Sequence, residues 1–175
     1  MQWSVSTMSR VALTNSEIEE LFSRLTDVFN YVNELRSKSP IAEKIQMPKI
    51  PPMLSESIAL RLVQKGILGR TVSSVRFGGR QSDLVASTES ARRIKIEVKA
   101  TGKQGFQFLS EKDISADYLL WIDFGSALLT GKTTFEVYVV RAPSRYFNRP
   151  TKTTLSKLKN VVRGLNVVKL DLSKI

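Results

Sequence analysis

The 175-residue chain contains no cysteine and no histidine. These absences exclude disulfides, thiol nucleophiles, structural zinc sites, Ser-His-Asp triads and every histidine-based general acid or base. Carboxylate and lysine chemistry remain. Long hydrophobic runs are missing too: residues 1–7 carry no uninterrupted apolar signal core, and Leu119-Leu120-Trp121-Ile122 is cut short by Asp123, too soon to span a bilayer. The expectation is a cytoplasmic protein without a membrane partner. Acid is scarce, with 16 Asp plus Glu against 27 Lys plus Arg and a formal net charge of +11. That imbalance points to a nucleic-acid partner.

The acid is also unevenly placed. Between Glu56 and Asp83 the only charged residues are Arg61, Lys65, Arg70, Arg76 and Arg80. Between Glu136 and Asp171 there is again no acid, and that span holds Arg141, Arg145, Arg149, Lys152, Lys157, Lys159, Arg163 and Lys169. Carboxylates flanked by basic walls suit a bound polyanion.

A composition of 42% hydrophobic and 25% charged residues describes one ordinary globular domain with a real core. Residues 1–13 show no period and read as an arm. A capping box at Thr14-Asn15-Ser16-Glu17 opens a helix over 14–37 with Ile18, Leu21, Phe22, Leu25, Val28, Phe29, Val32 and Leu35 at three-four spacing. It is either packed on the core or a dimerisation helix, because the stripe is nearly heptad-like. Prolines mark a connector over 38–52, and the rest of the chain, 53–175, forms the core domain.

A second helix is predicted over 53–65, with Glu56 at the border of its apolar face, within reach of a cleft or simply favoured by the helix dipole. Strands follow at 70–77 and 81–87. Along Ile94-Lys95-Ile96-Glu97-Val98-Lys99, apolar and polar residues alternate as in a strand with one packed and one polar side. A turn near Ser90 would pair Val85 with Lys95, Ser87 with Arg93 and Asp83 with Glu97. Adjacent carboxylates repel unless a cation joins them, and Mg2+, held by one or two carboxylates plus waters and substrate phosphates, is the natural occupant.

Residues 100–108 read as a polar loop in which Lys103, Gln104 and Gln107 either contact DNA or are solvated. A helical turn around Ser110, a central strand over 118–124, another strand over 135–140, a helix over 153–163 and a last strand over 166–172 complete the chain. In the loop 141–150, Arg141, Arg145 and Arg149 mix with Tyr146 and Phe147, which suits phosphate contact and base stacking or leaves the aromatics to plug the core. Lys152, Lys159 and Arg163 are read as one row beside the apolar stripe of the last helix. Arg76 and Arg80 flank the carboxylate hairpin, and all these basic residues are candidate DNA ligands.

Glu56 on a helix, Asp83, and Glu97-Val98-Lys99 on a strand resemble the PD-(D/E)XK nuclease superfamily over residues 53–124. Ser82 stands where the family's name places proline, at a turn position and not a ligand. The resemblance implies an α/β restriction-endonuclease-like core: a central mixed β-sheet flanked by helices, here with an extra N-terminal helix. It implies a Mg2+-dependent DNA endonuclease, with Mn2+ able to substitute, leaving a 5'-phosphate and a 3'-hydroxyl. Asp83, Glu97 and the Val98 carbonyl would hold the metal, Lys99 would orient the attacking water, and Glu56 would complete a water shell or a second metal site. A restriction-type homodimer cutting duplex DNA is the leading expectation. A Holliday-junction resolvase or repair nuclease, or a DNA-binding module with a vestigial site, are the alternatives.

Overall fold

Thr14 starts the first helix as its sequence predicts. Its hydroxyl accepts from the Glu17 N–H at 3.2 Å, and the Glu17 carboxylate accepts from the Thr14 N–H at 2.7 Å, closing the capping box. The computed structural model describes residues 11–102 and 105–175, so most of the expected arm, together with Lys103 and Gln104, lies outside the described residues. Leu13 is docked: its N–H donates to Ser57 Oγ at 3.1 Å, and its carbonyl accepts from Arg61.

Helix α1 (Asn15–Ser37) buries Ile18, Phe22, Leu25 and Phe29 in its own domain, so half of the stripe packs on the core, while Val28 stays exposed. Helix α2 (Pro52–Gln64) begins with a proline whose missing N–H costs nothing in a first turn. Strands β1 (Ser74–Phe77), β2 (Leu84–Ser87), β3 (Arg93–Thr101), β5 (Tyr118–Asp123), β6 (Thr134–Arg141) and β8 (Asn166–Asp171) form a mixed six-stranded sheet in the order β1-β2-β3-β5-β6-β8. Only β3 and β5 run parallel. A separate antiparallel pair joins β4 (Phe106–Leu109) to β7 (Thr151–Thr154). Helices α3 (Glu111–Ser115), α4 (Ala127–Thr130) and α5 (Leu155–Val161) complete the fold.

Strand alternation divides the interior in two. Ile94, Ile96, Val98, Leu120 and Ile122 pack with α1 and α2. On the opposite face Leu119, Trp121, Tyr138 and Val140 pack against Leu109, Ile114, Phe147 and Leu158. Strand β5, buried along nearly its whole length, is the expected central strand.

Several assignments differ from the sequence reading, among them the strand expected over 81–87, which begins only at Leu84. The strand predicted over 70–77 is confined to β1, because its ladder starts where Ser74 meets Ser87. The loop predicted over 100–108 is largely strand: β3 runs on to Thr101, and Phe106 begins β4. The helix predicted from 153 starts at Leu155, since the β-branched Thr151–Thr154 segment pairs with β4 and Thr154 then caps α5, accepting from the Lys157 N–H at 3.2 Å. Helix α4, unforeseen, ends at Gly131, whose φ of 68° is the left-handed conformation that glycine adopts freely.

Candidate active site

The hairpin register is the predicted one: Val85 lies opposite Lys95 and Ser87 opposite Arg93. Continuing past Leu84 and Ile96 brings Asp83 level with Glu97, at the point where β2 has not yet begun. Asp83 caps the ladder there, its Oδ2 accepting from the Val98 N–H at 2.8 Å. A strand residue's N–H and C=O point to the same flank, so the Val98 carbonyl faces Asp83 as well. The turn before Asp83 is tight: Gly78 N–H donates to the Asp83 carbonyl at 2.9 Å. A Cβ at Gly78 would sit 2.5 Å from the Ser82 carbonyl oxygen.

Glu97 and Lys99 lie on the α3 side of the sheet. That helix delivers two residues that the sequence reading did not assign to the site. Lys112 Nζ lies 2.9 Å from Asp83 Oδ1 and 2.9 Å from Glu97 Oε2. Asp113 accepts from Lys99 Nζ at 2.7 Å, and its other oxygen accepts from the Ser110 N–H at 2.7 Å and the Ser110 hydroxyl at 2.8 Å. The Ser110-to-Asp113 capping box is visible in the sequence and locates the helix start. It does not reveal which strand residues the helix meets.

Glu97 is 1% exposed, and burial pushes its carboxyl up to about 7; the Lys112 hydrogen bond opposes that rise, and the charges of Asp83 and Asp113 add to it. Lys112 is shifted upward: burial pulls its pKa down, but the hydrogen bonds to Asp83 and Glu97 outweigh it. Glu97 Oε1 is buried with no hydrogen-bond partner among the described residues.

Asp83, Val98 and Lys99 open onto a cleft of about 1330 Å³ that is also lined by Glu56, Phe106, Gln107 and Phe108. Glu56 thus shares the cleft with the strand residues, and it is 6% exposed. It falls in the second turn of α2, whose first turn carries no acid, so the dipole explanation does not apply to it.

The donor set fits a hard cation. Two carboxylates converge on one point, where the Lys112 ammonium stands in for a cation, and a buried carboxylate oxygen is spare. Among the described residues no group of three or more His, Cys, Asp or Glu side chains is arranged to hold a metal ion. A Mg2+ completed by water and phosphate oxygens requires only one or two carboxylates.

The basic candidates are dispersed. Arg76, Arg80, Arg145, Arg149 and Lys159 are exposed. Gln107 lines the cleft but donates to the Ala100 carbonyl at 2.7 Å. Arg141 and Arg163 line a different pocket with Arg70, of about 290 Å³ and with no residue in common with the cleft. Lys152 does not align with Lys159 and Arg163 as expected: it belongs to β7, with its ammonium 3.4 Å from the Phe106 ring centroid. Lys159 lies 4.7 Å from the Tyr138 ring centroid. Phe147, a candidate stacking residue, is buried at 6% exposure, which settles its role as core.

Fold and site together define a mixed α/β protein with a carboxylate and lysine cluster, of which Asp83 and Lys99 line a large cleft. No family model, curated protein or solved structure matches the chain. No helix among the described residues is long and apolar enough to cross a membrane.

Proposed function

We propose that the protein is a Mg2+-dependent DNA endonuclease of restriction-endonuclease-like architecture. The observation that carries this reading is the convergence of Asp83 and Glu97 on one ammonium, that of Lys112, beside the cleft that Asp83, Lys99 and Glu56 line. Asp83, Glu97 and the Val98 carbonyl would hold the ion, with Mn2+ as a substitute. When bound, Mg2+ supplies a water of lowered pKa and screens the phosphodiester charge. Lys99, held in place by Asp113, would point its side chain at the water and at the charge growing on the phosphate oxygens. Lys112 neutralises the carboxylate pair and would have to swing aside for Asp83 and Glu97 to hold the ion. Glu56, in the lining of the cleft, would complete the water shell of the ion or a second metal site. The products, as the resemblance implies, carry a 5'-phosphate and a 3'-hydroxyl.

A restriction-type enzyme would act as a homodimer, because two strands require two sites. A junction or repair nuclease is favoured by one specific observation, the two exposed phenylalanines lining the cleft. The deciding experiment incubates the protein with plasmid, four-way junction and single-stranded DNA under Mg2+, Mn2+ or EDTA. Cleavage with either metal and none with EDTA is expected. Metal-independent cleavage, or no cleavage under any condition, defeats the proposal. Discrete plasmid bands identify a sequence reader.

A further inference from the structure

The chain has eight phenylalanines, and Phe22, Phe29, Phe77, Phe124, Phe135 and Phe147 are buried. Phe106 and Phe108 are instead 54% and 57% exposed. Their exposure follows from strand alternation. On β4, Leu109 and Gln107 turn inward, Leu109 into the core beside Trp121 and Gln107 onto the Ala100 carbonyl. The partner strand does the same with Thr153, which is 1% exposed. Phe106, Phe108 and their cross-strand neighbour Lys152 therefore share the outer face of the β4-β7 ribbon. Both rings line the cleft that Asp83, Lys99 and Glu56 also line.

We infer that Phe106 and Phe108 form a stacking ledge for unpaired DNA bases, with Lys152, which covers one face of Phe106, as the phosphate partner once a base takes its place. Two large apolar rings held on a rigid ribbon in the wall of a polar cleft are costly in water and favourable under a planar apolar face. Bases supply such faces only where they are unpaired; in uninterrupted duplex they are stacked on one another. Stacking on aromatic side chains is sequence-tolerant, because every base has a π-face. The Lys152 ammonium lies over one face of the Phe106 ring, 3.4 Å from its centroid; a base stacking on that face displaces it, and its flexible stem lets the freed ammonium turn to the nucleotide's phosphate. The inference rests on the cleft being a DNA site, and it names the substrate class: DNA with single-stranded or splayed bases, such as a flap, a junction arm or a single strand.

The test separates the two readings by measuring binding in EDTA, where no cleavage occurs. Fluorescence anisotropy compares wild type, Phe106→Ala/Phe108→Ala and Phe108→Trp on single-stranded DNA, on an abasic strand of the same length and charge, and on duplex. Wild type is expected to favour the base-bearing strand over the abasic one, and the double alanine variant to lose at least about tenfold on that strand alone. Phe108→Trp is expected to bind like wild type. Equal losses on all three DNAs, or none, overturn the inference while leaving the nuclease reading intact. Conversion of a dimer to a monomer with unchanged DNA affinity also overturns it, since the ledge would then be a subunit contact. No DNA binding by wild type overturns both. Base-selective binding without metal-dependent cleavage upholds the ledge and removes only the nuclease.

Discussion

Asp83 and Glu97 share a single ammonium: Lys112 Nζ lies 2.9 Å from an oxygen of each. Two carboxylates this close, one of them buried, are held together by that cation. Removing one partner of a buried pair costs about 3–5 kcal/mol. The Lys112 side chain is 38% exposed, and solvent screening reduces the expected loss to about 1–3 kcal/mol. Lys112→Met is therefore expected to melt earlier than wild type in EDTA and to regain the difference with Mg2+. Its half-saturating Mg2+ concentration in a thermal-shift titration is expected to fall about tenfold, since no internal cation competes. A midpoint equal to that of wild type would show that Lys112 and the metal do not share a place.

Lys99 is 20% exposed and tied to Asp113. The proposed role predicts that Lys99→Ala abolishes cleavage and retains DNA binding. Asp113 keeps its two bonds from Ser110, so the cost to stability is expected to stay within about 1–3 kcal/mol. Single-turnover cleavage, anisotropy binding and a melting curve on one preparation check this. Joint loss of binding and helicity would make Lys99 a folding residue.

The hairpin was legible because a period-two pattern specifies both face and register: a slip of one residue would have put Ile94, Ile96 and Val98 on the polar side. What alternation cannot reveal is the partner of a short segment. Phe106–Leu109 and Thr151–Thr154 have four residues each and meet only in the folded chain, so Lys152 was read onto a helix and Phe106 into a loop. The aromatics were undecided for the same reason: Phe147 could stack on a base or plug the core, and Phe108 stood in a loop with no role of its own. Phe147 and Phe108 both stand among polar residues in the sequence, and only packing makes one core and the other surface. Lys112 and Asp113 reach the site through the placement of α3, which depends on Ile114 entering the core beside Trp121.

Arg145 and Arg149 are exposed, with no ion-pair partner among the described residues. If both contact phosphate, Arg145→Ala/Arg149→Ala weakens DNA binding about equally across sequences. The slope of log K against log salt should then fall by about 2, each phosphate contact contributing about 0.9. An unchanged slope places the DNA path elsewhere, with the Arg70, Arg141 and Arg163 pocket as the next position to probe.

Asp123 offers a pH prediction independent of the Asp83 and Glu97 cluster. Burial raises its pKa, while hydrogen bonds from the Gly125 N–H and the Thr101 hydroxyl oppose the rise. A carboxyl whose folded pKa lies above its unfolded value binds more protons in the native state, so its contribution to stability is full below the unfolded pKa and declines as pH rises through the folded one. Asp123→Asn keeps an acceptor for both donors and removes the titration. The melting temperature of the variant minus that of wild type is expected to climb from about pH 4 upward and then level off. Parallel curves would show that Asp123 does not titrate differently on folding.

Gly78 tests whether the turn, and not only the carboxylate, makes the site. Its N–H fixes the Asp83 carbonyl at 2.9 Å, and an alanine Cβ would lie 2.5 Å from the Ser82 carbonyl oxygen and in collision with the Ser82 hydroxyl. Ser82 is 0% exposed, so it has no solvent side to retreat to, and the turn must open instead. Opening moves Asp83 away from the Val98 N–H and from Lys112. Gly78→Ala is expected to lose about 1–3 kcal/mol of stability, as overpacking does, and most of its cleavage at low Mg2+. DNA affinity in EDTA is expected to fall far less than cleavage, because Arg145, Arg149 and the Phe106 ledge stand on other elements and only Arg76 and Arg80 adjoin this turn. Partial recovery of cleavage at high Mg2+ would show that Asp83 is displaced and not lost. Wild-type cleavage in a destabilised variant would mean that the position of Asp83 does not matter to the reaction.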